Sequence, residues 1–157
     1  MSMRSDDSGL ESIPLKLMIV AVVATMSVLP AAQALTGLET REFARRADLQ
    51  LDMIVTTAQV LTVQGPGNVR TLALDFTTDA QLGLHELRVG DRIKSPNSSS
   101  VILVLNNGAV MGRVASDPPC ALCSRNMATL IVRQPDFDLR MVAVLENRTT
   151  VVLVELV

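Results

Sequence analysis

From Leu17 to Leu38 the chain carries no charged side chain, and the run LMIVAVVATMSVLPAAQALTGL is 22 residues long. About 20 apolar residues at 1.5 Å each cross a hydrocarbon core, so this pattern predicts a transmembrane span over 17–38. Pro30 would kink such a helix, which membrane helices tolerate, and Pro14 after Ser12 suits a helix start. Beyond Glu39 the pattern becomes amphipathic. Phe43, Ala47, Leu51, Ile54, Ala58 and Leu61 recur at spacings of four and three, which places them on one helical face. Arg41, Arg45, Arg46, Asp48 and Asp52 supply polar character elsewhere. Gly65-Pro66-Gly67 ends the pattern. The reading is a polar leader over 1–12 and one long helix over 13–64. Its apolar stripe must pack on the chain's own sheet or on a neighbouring helix, and the Leu51–Leu61 part is expected to serve folding.

From Asn68 onward the period is two. Leu72, Leu74 and Phe76 alternate with Thr71, Ala73 and Asp75, as in a half-buried strand. Gly83–Val89 is a second strand candidate. Val101–Leu105 meets Ala109–Val114 across Asn106-Asn107-Gly108, a strong hairpin signal because Asn and Gly tolerate positive φ. Thr129–Arg133, Leu139–Leu145 and Thr150–Val157 complete about seven strands, with a turn at Glu146–Thr149. The last strand is apolar enough to be central or buried. Short connections without helices predict an antiparallel sheet or small sandwich over 68–157. The expected class is therefore α+β, a long N-terminal helix with a transmembrane lower half packed on a β domain.

Composition changes this picture little. Hydrophobic residues make up 48% of the 157 and mean hydropathy is positive, which agrees with a membrane segment. Net charge is −2, without the basic footprint nucleic acid requires. Phe43, Phe76 and Phe137 are the only aromatic residues, so stacking platforms for bases or sugars are nearly absent. Two bland readings compete for the apolar run: a cleaved secretory signal ending at Ala34, and a buried core helix.

Candidate chemistry is sparse. Cys120-Ala121-Leu122-Cys123, after Asp117-Pro118-Pro119, reads as a loop closed by a local disulfide. Free thiols and a metal or redox role are the other readings. His85, beside Glu86, is the lone histidine and reads as a solvated strand residue rather than a base. Asn97-Ser98-Ser99 and Asn147-Arg148-Thr149 fit the glycosylation acceptor pattern in turns. No phosphate loop, paired carboxylates or four-ligand metal set is present. No catalytic residue, cofactor, metal or small-molecule substrate is expected.

The stretch Asp6-Asp7-Ser8-Gly9-Leu10-Glu11-Ser12-Ile13-Pro14-Leu15-Lys16-Leu17, running into the apolar helix, resembles the archaeal group of type IV pilin-like proteins, pilins and pseudopilins. Gly65–Phe76 is similar to the first strand after the helix in that group. The resemblance implies helices that bundle between subunits, with β domains outside. It also implies that Glu11 matters to assembly, paired with a neighbour's amine or with Lys16. The function expected on this basis is a structural or assembly subunit, a homo- or hetero-oligomer held in membrane lipid by a single pass. Its C-terminal domain would be extracellular, in a surface filament or related envelope machine. The alternatives are an anchored or secreted β-domain adhesin or envelope accessory that does not assemble, and a thiol oxidoreductase using the two cysteines.

Overall fold

The computed structural model describes residues 12–78 and 83–157; the side chains of residues 12–15 and 25–36 lie outside that description. The leader expected over 1–12, and with it Glu11, falls outside the described residues except for Ser12. Helix α1 runs Ser12–Gln64. The chain divides into two compact units, Met1–Glu39 and Thr40–Val157, so the division falls inside α1 and not at its end. Packing gives the reason. From Phe43 onward α1 contributes a stripe to the same core as the strands, and Phe43, Ala47, Leu51, Ile54, Ala58 and Leu61 are all buried.

The second unit is mostly β. Its strands are β1 (Val69–Asp75), β2 (Leu84–Val89), β3 (Ser100–Leu105), β4 (Val110–Val114), β5 (Ala121–Ser124), β6 (Leu130–Val132), β7 (Asp136–Glu146) and β8 (Thr149–Leu156). They form two four-stranded sheets, ordered β1-β7-β8-β5 and β4-β3-β2-β6. Alternation decides what faces inward. On β7, Phe137, Leu139, Met141 and Ala143 are buried, and across the core Leu87, Val89, Val101, Leu103 and Val132 come from the second sheet. The central β8 is the apolar C-terminal strand.

Turn chemistry follows the residue types. The β3–β4 hairpin closes at Gly108 (φ 81°), whose N–H donates to the Leu105 carbonyl at 2.9 Å. The β7–β8 hairpin turns through Asn147 (φ 48°) and Arg148 (φ 66°), the two positive values a tight primed turn needs. At the end of α1, Gly65 (φ 86°) donates to the Leu61 carbonyl at 3.0 Å. The Asn68 side-chain amide donates to the Gln64 and Gly65 carbonyls, satisfying groups the helix end leaves open.

Polar side chains of α1 tie it to both sheets. The Gln50 amide donates to the Asp75 carbonyl of β1 and accepts the Asp75 N–H at 3.0 Å. Arg113 of β4 reaches Asp48 at 2.5 Å and Asp52 at 2.7 Å.

Three expectations are corrected. The expected class, α+β with a membrane-spanning lower helix on an antiparallel β domain, gives way to a mostly β unit of two sheets. One of them is mixed, because β5 runs parallel to β8. No helix among the described residues is long and apolar enough to cross a membrane. The transmembrane, single-pass and extracellular assignments fall with that span. Finally, the strand β5 stands where the sequence reading placed a loop.

Candidate functional site

The described residues of the first unit include an apolar surface. Leu17, Met18, Ile19 and Val20 are exposed, at 66%, 69%, 55% and 64%. Consecutive helical residues step by about 100°, so these four cover the whole circumference, unlike the one-sided stripe of a surface helix. Lys16 precedes them and is also exposed.

In the second unit, the face of α1 opposite its buried stripe carries a second set of apolar residues. Leu49, Met53, Val60 and Val63 are exposed, and with exposed Thr56 between them they recur at spacings of four and three. The spacing was present in the sequence, but the buried stripe beside it has the stronger apolar content.

The cysteines are free and buried. Side chains alternate along an extended segment, so positions three apart fall on opposite faces. Cys120 belongs to the main core, where its Sγ lies 3.6 Å from the Ala58 carbonyl of α1. Cys123, on β5, lies outside that core with its Sγ 3.6 Å from the Met127 Sδ. Burial pushes both thiols above their ordinary pKa, and Glu146 adds to the effect at Cys123. Nucleophilic and metal-binding cysteines need the thiolate, the form this environment disfavours.

Several charged groups are tied to their neighbours. Glu86 on β2 is buried, hydrogen-bonded to Arg88 and 3.8 Å from Arg133. The Arg88 hydrogen bond chiefly holds its carboxyl below the usual carboxylate range, against desolvation, with the charges of Arg88, Arg133 and His85 adding to it. Asp91 is held low by Ser95 first, then by the Arg92 N–H, against burial, and Thr129 contributes. These bonds fasten the loop after β2. There Gly90 (φ 62°) lies so close to Leu122 that a Cβ would overlap its carbonyl oxygen at 1.9 Å. His85 is exposed on β2. Asn97 and Asn147 are exposed in their turns. Among the described residues no three metal-ligating side chains cluster.

Comparison with protein-family models, curated proteins and solved structures finds no match for this chain.

Proposed function

We propose that this chain is a structural, non-catalytic subunit that assembles with like subunits through α1, in the manner of pilin-like proteins. The observation that carries the reading is the ring of exposed apolar side chains at Leu17, Met18, Ile19 and Val20. Burying one large aliphatic side chain is worth roughly 1.5–3 kcal/mol, so a ring of four gains several kcal/mol from a helical neighbour that covers it. A helix apolar on every side suits the middle of a bundle, where neighbours approach from more than one direction. Glu11 and Lys16, on the N-terminal side of this ring in the sequence, would supply the charge pairing between subunits on the same reading.

The test is cross-linking of the full chain carrying Val20→Cys under mild oxidation. Covalent dimers at micromolar concentration are expected, with none from the exposed control Leu145→Cys. A chain that stays monomeric and uncross-linked at every concentration overturns the reading in favour of a solitary binding module.

A further inference from the structure

Among the described residues, the edge of the first sheet at β1 is not paired with a further strand. β1 is the outer strand beside β7. In an antiparallel pair, alternate residues direct both backbone groups toward the partner strand and the residues between direct theirs away. Phe76 donates to the Pro135 carbonyl and Ala143 to the Asn68 carbonyl, so the even-numbered positions face β7. Asp75 gives both its backbone groups to Gln50, which fixes the odd-numbered positions as outward. Val69, Thr71 and Ala73 share that parity and are exposed.

The open window has defined ends. At Asp75 the Gln50 amide already takes the place of a strand. At the other end lies Pro66, which has no N–H to offer. Val69 to Ala73 is thus a window symmetric about Thr71.

We infer that β1 pairs antiparallel with β1 of a second copy across a two-fold axis at Thr71. An isologous contact requires a patch complementary to itself, and this window is one. Thr71 faces Thr71, Val69 faces Ala73, and each pair exchanges both backbone bonds. Arg70 falls opposite Leu72 and Asp75 opposite Gly67, so no like charges stand directly opposite each other. Sliding the register by two residues brings in either Asp75 of both copies, whose backbone groups Gln50 already holds, or Gly67 of both copies, whose N–H already donates to the Ala143 carbonyl. The first sheet of each copy then continues into that of its partner. This contact is independent of the α1 reading, because it uses neither the apolar ring nor any residue of the helix as partner.

Two variants of the full chain test it. Thr71→Pro removes the central outward N–H and no bond to β7, so the circular dichroism and unfolding midpoint should stay near wild type. The β1-mediated dimer should be lost, seen as at least a tenfold weaker dimerisation by sedimentation equilibrium. Thr71→Cys places two cysteines about 5.5 Å apart between Cα atoms, within disulfide range, and should give a covalent dimer on oxidation. That product should persist when Leu17→Asp and Val20→Asp are added to disable the helix. If the chain associates but Thr71→Cys never cross-links and Thr71→Pro changes nothing, edge pairing is overturned while the helix reading stands. If Thr71→Cys cross-links while the helix variants change no association, the helix reading is the one that falls.

Discussion

Two stretches of α1 obey different rules. Between Phe43 and Leu61 apolar residues keep to one face and are buried, while Arg45, Arg46 and Asp52 stay exposed. Between Leu17 and Val20 apolar residues occupy every face and are exposed. The first arrangement is complete within the chain: each apolar stripe residue has strands of its own unit to pack on. The second has no polar face to give water. On the function proposed above, a single helix carries a folding surface and an association surface, separated along its length, and each can be damaged alone.

The largest effect is expected from Ile54→Asp, which puts an unpaired charge at a position with no solvent access. Leaving such a group buried costs several kcal/mol, and about 4 kcal/mol or more of stability should be lost. Denaturant unfolding followed by circular dichroism measures it. A variant that unfolds at the wild-type midpoint would show that the stripe does not hold the sheets.

A smaller, pH-dependent effect is expected from Glu86→Gln. The folded carboxyl titrates below its ordinary value of 4.5, chiefly through the Arg88 bond. A depressed carboxylate contributes stability that is fully present above the unfolded pKa and is lost as pH falls through the folded one. The wild type should therefore exceed the variant at pH 7, and the two urea midpoints should converge as pH drops below about 4.5. A gap that is constant with pH counts against the ion cluster. The smallest effect belongs to Arg113→Ala. Its partners Asp48 and Asp52 are more than a third exposed, so the urea midpoint should fall only slightly, and less again in high salt.

Much of the second unit was legible in the sequence, and the reasons are local. The six-residue stripe has a clear 3.6 period, and Gly108 and Asn147 suit the positive φ of their hairpin turns, whereas the positive φ of Arg148 is not one its residue type favours. Strand β5 was not legible, because four residues following two prolines offer a single alternation, too little to distinguish strand from loop. The free state of Cys120 and Cys123 was hidden for the same reason: only once β5 is known do the two side chains part to opposite faces. Hydropathy over 17–38 suggested lipid, because an uncharged run does not distinguish a bilayer from a bundle of helices as its surroundings. The open window on β1 had no sequence signal, since Gln50, which bounds it, lies 25 residues away.

The separation of folding from association along α1 is tested most directly by sedimentation velocity and urea unfolding of the full chain carrying Leu17→Asp together with Val20→Asp. The account predicts unchanged unfolding of the β unit and loss of the helix-driven oligomer, leaving at most the β1-paired dimer. Retention of the full wild-type oligomer by this variant, or a lowered unfolding midpoint, would contradict it.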